Sequence, residues 1–255
     1  MKDLMTEGHD FDRLTRRLEA LDLADMEVET AGFVDGYPIY CIRLGGDPRG
    51  RKRVLLSGGV HGDEPAGPEA VLAFLERNPA DLLRSFTFLV LPCVNPWGYV
   101  HNRRENREGD DINRSFSEPH VPEGEIARRI LKGKRFDLYV DFHEDWEAAG
   151  FYMYEGRRDE DWAGSHIVGE VERIGAIDPD GEDDENDVPI SRGVYRVAPS
   201  WGAGGIVPYV FHHHADHVLI FETPTEWPMA QRTAAHLAGL DTVLDWTLEN
   251  PVRDH

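Results

Sequence analysis

Cysteine is nearly absent: the 255 residues contain two, Cys41 and Cys93. A single pair cannot build the multi-bridge frame of a small secreted domain, and it has no zinc-binding spacing. Both cysteines lie in apolar, strand-like runs and read as buried free thiols. Basic residues are also in deficit, with 27 Lys and Arg against 48 Asp and Glu, for a net charge of −21. A surface of that sign repels nucleic-acid phosphates and anionic lipid headgroups, so neither is an expected partner. Long apolar runs are missing; none nears the ~20 residues that a membrane-spanning helix needs. Residues 1–7 are polar and acidic, without the basic start and apolar centre of a secretory leader. The expectation is a soluble, cytoplasmic chain.

What is present suits one sizeable core. Hydrophobic residues make up 40% of the chain, and no repeat or composition shift marks a boundary, so 1–255 reads as a single domain. Apolar positions at helical spacing (Phe11, Leu14, Leu18, Leu21) predict a helix over 9–23. Two strands over 26–44 meet at Asp35-Gly36, a hairpin signal. Uniformly apolar runs predict buried strands at 54–60, 86–92, 136–142 and 218–221, with a further strand at 151–154. Helices are expected over 65–77, 123–132, 161–174 and 228–250. The polar stretch 95–122 shows no period. Residues 178–187 are crowded with acids and lack the ligand order of a calcium loop, so they read as a solvated loop. His212-His213-His214 reads as a loop before a strand. With His217 it raises the question of a second metal, but no carboxylate stands at a clear spacing. Strands alternating with helices, each strand apolar throughout, predict an α/β fold: a mixed, largely parallel sheet between helical layers.

In such sheets ligands bind beyond the carboxyl ends of the strands. The polar residues that follow the apolar runs are His61, Asn95, His143 and Glu222. His61-Gly62-Asp63-Glu64 places an imidazole and a carboxylate three residues apart after one run, and His143 closes another. Three such groups can hold one zinc ion and leave a fourth position open to water, the pattern of a catalytic site. Alone, H-x-x-E is short enough to be loop residues without a metal. Glu222 can serve as a general base beside such a site. The stretch 103–114 gathers Arg103, Arg104, Arg107 and Arg114 with Asn106 and Asn113 in an otherwise acidic chain. Arginine and asparagine suit a substrate carboxylate and a developing oxyanion. The acids interspersed there allow a plain salt-bridged loop as well.

Five pieces in order resemble the M14 zinc carboxypeptidases and the related succinylglutamate desuccinylase/aspartoacylase group. They are His61-Gly62-Asp63-Glu64; Asn95-Pro96-Trp97-Gly98; Arg104-x-Asn106-x-x-Gly109-x-Asp111-Ile112-Asn113-Arg114; Asp141-Phe142-His143; and Phe221-Glu222. The resemblance implies that His61, Glu64 and His143 bind one zinc ion. It implies Arg104 as the oxyanion partner, Asn113 and Arg114 as the grip on a terminal carboxylate, and Glu222 as general base. Implied substrates are a short peptide with a free C-terminus or, as the alternative, an N-acyl amino acid. Arg104 standing nine residues before Asn113, and the limited length, tilt the expectation toward the peptidase. A catalytically silent metal- or peptide-binding module is the rival from another class; Glu222 and Arg104 argue against it. Two departures stand out. The family tyrosine that closes over substrate has only Tyr195 and Tyr209 as candidates, and the expected H-x-Y is replaced by His143-Glu144-Asp145.

Overall fold

The computed structural model describes residues 9–178, 188–197 and 204–252. A nine-stranded sheet runs through the described residues in the order β1-β2-β4-β3-β5-β9-β6-β8-β7. The strands are β1 (Met26–Val34), β2 (Tyr37–Leu44), β3 (Lys52–Gly58), β4 (Phe86–Leu91), β5 (Leu138–Asp145), β6 (Tyr152–Arg157), β7 (Val188–Ser191), β8 (Val194–Arg196) and β9 (His217–Pro224). The central strands β4, β3, β5 and β9 are mutually parallel. Antiparallel pairs flank them: β1–β2 and β2–β4 on one side, β9–β6 and β7–β8 on the other. Residues 54–58 of β3 and all of β4 are buried, as expected of strands covered on both faces. The β1–β2 hairpin turns on Asp35 (φ 52°) and Gly36 (φ 87°), a left-handed pair that supplies the twist a two-residue hairpin needs.

Two helical layers cover the sheet. On one face lie α1 (Phe11–Glu19), α2 (Ala66–Glu76), α3 (Pro96–His101), α6 (Gly164–Val171) and the long α8 (Met229–Glu249). Phe74, Leu75, Ile167, Leu240 and Leu244 pack there against Leu56, Val140 and Phe221. On the other face α4 (Ile112–Ser115), α5 (Pro122–Leu131) and α7 (Ile206–His213) close over Leu55, Tyr139, Leu91 and Ile220. Cys41 and Cys93 are buried and free, as expected. No helix among the described residues is long and apolar enough to cross a membrane.

Four sequence expectations need correction. The stretch 95–122 contains two short helices, each begun by a side-chain cap: Asn95 Oδ1 accepts from Gly98 N (2.8 Å) and Asp111 Oδ1 from Asn113 N (2.8 Å). Helices of six and four residues are too short to show a period. His212 and His213 end α7 and are not loop residues. The short strands β7 and β8 were not foreseen. Strands β5 and β9 continue past the predicted ends, so His143 and Glu222 sit inside paired strands. The acidic run lies outside the described residues except for Asp178.

Candidate metal centre

Three elements bring the predicted ligands together. His61 and Glu64 occupy the turn between β3 and α2, and His143 lies near the carboxyl end of β5. The turn comes close because glycines allow it. A Cβ on Gly67 would stand 2.5 Å from Phe142 O, and one on Gly58 would stand 2.6 Å from Gly67 C. The first turn of α2 therefore rests directly on the β3 and β5 backbones, and only a residue without a side chain fits the contact.

His61, Glu64 and His143 are all buried, and one potential ligand atom from each lies within 4.8 Å of the others. Among the described residues this is the one such group. Glu64 stands between the imidazoles: Oε1 is 2.6 Å from His61 Nδ1, and Oε2 is 2.7 Å from His143 Nδ1. The far nitrogens also face carboxylates. His143 Nε2 is 2.9 Å from Asp141 Oδ2, and His61 Nε2 is 3.3 Å from Asp111 Oδ1. The His61 contact is an ion-pair distance without good hydrogen-bond geometry, which leaves this buried nitrogen without a hydrogen-bond partner. Asp141 is itself anchored, since Ser57 Oγ donates to its Oδ1 at 2.5 Å. A neutral imidazole that donates Nε2–H to an aspartate presents a bare Nδ1 lone pair. Two imidazole Nδ1 atoms facing one carboxylate need a cation between them, either protons or a metal ion.

The electrostatics agree. Burial alone would raise the Glu64 carboxyl, but His61 and His143 hold it far below the usual carboxylate range. Burial would lower His143, but Asp141 and Glu64 push it well above the ordinary imidazole value, and His61 is raised in the same way by Glu64 and Asp111. Three carboxylates, Glu64, Asp111 and Asp141, lie against the two imidazoles, and Arg104 pairs with Glu64 and Asp111. The donor set of two nitrogens and a carboxylate fits zinc.

Arg104 lies at the edge of this group. Its Nε donates to Asp111 Oδ2 (3.0 Å) and its Nη1 is 3.5 Å from Glu64 Oε1. The Arg104 carbonyl accepts from Gly62 N (3.4 Å) and Asn95 Nδ2 (3.3 Å), which ties the arginine loop to the His61 turn. Asn113 heads α4, and its Oδ1 accepts from Ile206 N at 3.3 Å. Arg114 is exposed and forms no ion pair among the described residues, while Arg103, Arg104 and Arg107 each face a carboxylate.

Glu222 is register partner of His143 across β5–β9 and of Tyr152 across β9–β6. Its carboxylate has no hydrogen bond or ion pair among the described residues. Burial lifts its pKa well above the usual glutamate value; His143 opposes this, and Glu64, Asp145 and Asp141 add to it. The tyrosine beside it is Tyr152, whose hydroxyl donates to Asp145 Oδ2 at 2.8 Å. Neither sequence candidate takes that place. Tyr195 packs against Tyr152 and Tyr154, and Tyr209 packs on Phe116 and His213. His217, once a candidate for a second metal, is fully buried and pairs with Glu155 at 2.8 Å. Sequence reasoning gave no role to Asp111, Asp141 or Tyr152. Asp141 was detectable, because residues two apart on a strand share a face.

A buried His/Glu/His group at the carboxyl ends of a parallel core defines the zinc-carboxypeptidase-like class of α/β folds. Comparison with known proteins agrees. Residues 50–171 match the family model described as succinylglutamate desuccinylase/aspartoacylase catalytic domain. A probable carboxypeptidase 2 from Trichophyton verrucosum is 43% identical over 109 residues, which is 38% of this chain and 20% of that protein. The chain thus spans about a fifth of the length of the curated relatives it matches. A solved structure of a putative metallopeptidase from Shewanella amazonensis superposes with a TM-score of 0.81 at 25% identity, covering 93% of each chain. A metallo-carboxypeptidase from Pseudomonas aeruginosa, solved in complex with (2-guanidinoethylmercapto)succinic acid, shares the fold: TM-score 0.68, 20% identity, 94% of this chain and 68% of that one. Over residues 50–171 the chain is thus similar to that family, and its fold is that of the solved metallopeptidases and carboxypeptidases.

Proposed function

We propose that this protein is a zinc-dependent carboxypeptidase that hydrolyses the C-terminal amide bond of short peptides. One observation carries the reading: His61, Glu64 and His143 converge in a buried group, with Glu222 beside His143 in register and without a hydrogen bond or ion pair among the described residues. A zinc ion held by these three residues would polarise a scissile carbonyl and acidify water at the site. Glu222 takes up the water proton and delivers it to the departing amine. Burial raises its proton affinity above that of an ordinary glutamate, which favours taking a proton. Arg104 places a guanidinium at the rim of the ligand group, where an oxyanion would develop. Arg114, exposed and without an acidic partner among the described residues, and Asn113 beside it receive the free carboxylate of the substrate. The test is metal content together with hydrolysis of a panel of N-blocked dipeptides, before and after chelation. A protein that holds no zinc, or that cleaves equally well without it, sinks the proposal.

A second reading has its own support, because the matching family model over 50–171 is that of desuccinylases and aspartoacylases. In that case the substrate is an N-acyl amino acid, and the same arginines bind its carboxylate. Parallel assays of N-acyl amino acids and blocked dipeptides separate the two. Bound zinc without turnover of either class would indicate a silent binding module.

A further inference from the structure

Glu144 follows His143 on β5 and makes three contacts from a buried position. Its side chain leaves β5 on the face opposite the imidazole of His143 and is fully buried. One carboxylate oxygen accepts from Ala66 N, the first residue of α2, and the other pairs with the Arg232 guanidinium on α8. The backbone N of Glu144 donates to Glu64 Oε2 at 3.1 Å. A single residue therefore grips Glu64 directly and also grips the helix that begins two positions later. Helix α2 has no side-chain cap of its own, since Pro65 occupies that place. The carboxylate answers one of its otherwise unpaired N–H groups and complements the positive end of the helix dipole. Arg232 is 13% exposed, its Nε is buried without a partner, and Glu144 is its one acidic partner among the described residues.

We propose that Glu144, held by Arg232, is a positioning residue for the metal ligand Glu64. It fixes the first turn of α2 against β5, so that the Glu64 carboxylate is presented between His61 and His143 before any cation arrives. The inference rests on the metal-site reading above. A plain stabilising ion pair between α2, β5 and α8 is the alternative, and the molecule contains a control for it. Arg77 at the far end of α2 pairs with Asp241 of α8, joining the same two helices away from the ligands.

The experiment measures zinc affinity by competition with a chromophoric chelator. Absorption of the cobalt-substituted protein and thermal unfolding of the metal-free protein are recorded alongside. The variants are Glu144→Gln, Arg232→Gln, the double substitution and Asp241→Asn. Each single change at Glu144 or Arg232 is expected to weaken zinc about 10–100-fold and to shift the cobalt spectrum. The double variant leaves no unpaired buried charge, so it regains metal-free stability but not affinity. Asp241→Asn leaves affinity unchanged. Zinc affinity within about twofold of the parent in both single variants, or full recovery of affinity in the double variant, overturns the proposal. Failure of the parent to bind zinc would instead remove the metal reading beneath it.

Discussion

Glu222 and Asp141 both flank His143, one through strand register and the other through a hydrogen bond to Nε2. Their substitutions should fail differently. Glu222→Gln keeps the shape of the side chain but cannot take a proton. It is expected to retain zinc and to lose ~10²–10⁴ in kcat, since a positioned general base contributes that much; metal analysis beside steady-state kinetics checks it. Asp141→Asn confronts Nε2 of His143 with an amide and disturbs the tautomer that frees Nδ1. It should weaken zinc binding about 10–100-fold, read by chelator competition. At this scale His61, His143 and Glu222 were legible because each follows an apolar strand run, and Glu64 because it stands three residues after His61. Asp111 stood inside a recognised motif, yet its contact with His61 comes from a turn that brings residues fifty positions apart together. Glu144 was not legible as a functional residue, because its partners lie on α2 and α8.

Among the elements, the seam between α2 and β5 decides whether the ligands meet. Gly67→Ala places a methyl group 2.5 Å from Phe142 O, and the helix must shift to admit it. Overpacking of this kind costs about 1–3 kcal/mol, and the shift also carries Glu64 away from His143. Denaturant unfolding of the metal-free variant should show the loss of stability, and zinc titration should show weaker binding; an unchanged variant would mean that the seam yields without consequence. The long strands and helices were legible from period and burial. Helices α3 and α4 were not, because four to six residues held by a cap carry no periodic signal. Strands β7 and β8 are also short; β8 pairs with β6, and β7 pairs with β8.

For the molecule as a whole, zinc and pH should act together. His61 and His143 have folded-state pKa values raised above the ordinary 6.5 by the carboxylates that face them. In the metal-free protein that stabilisation is complete below the unfolded imidazole pKa and is lost as pH rises through the raised values. Zinc must displace those protons, so its affinity grows over the same range. The gap in Tm between loaded and metal-free protein should therefore widen as pH rises above the ordinary imidazole value of 6.5. At a hundredfold excess over Kd, zinc stabilises by about 2.7 kcal/mol, which for this length corresponds to a shift on the order of 5–10 °C. Scanning calorimetry with and without chelator at several pH values measures it. A gap that narrows with rising pH would contradict the assigned ligands.

The sequence by itself determined which segments are buried strands and helices and which residue types stand at their ends, because burial and periodicity are local properties of the chain. It also carried the order of the motif pieces on which the resemblance rests. Only the tertiary structure decided which carboxylate backs which imidazole, that Tyr152 lies beside Glu222, and that Glu144 and Arg232 brace Glu64. Those pairings depend on strand register and on the close approach of α2 to β5. Both are set by contacts between residues far apart in the chain, which no local pattern records.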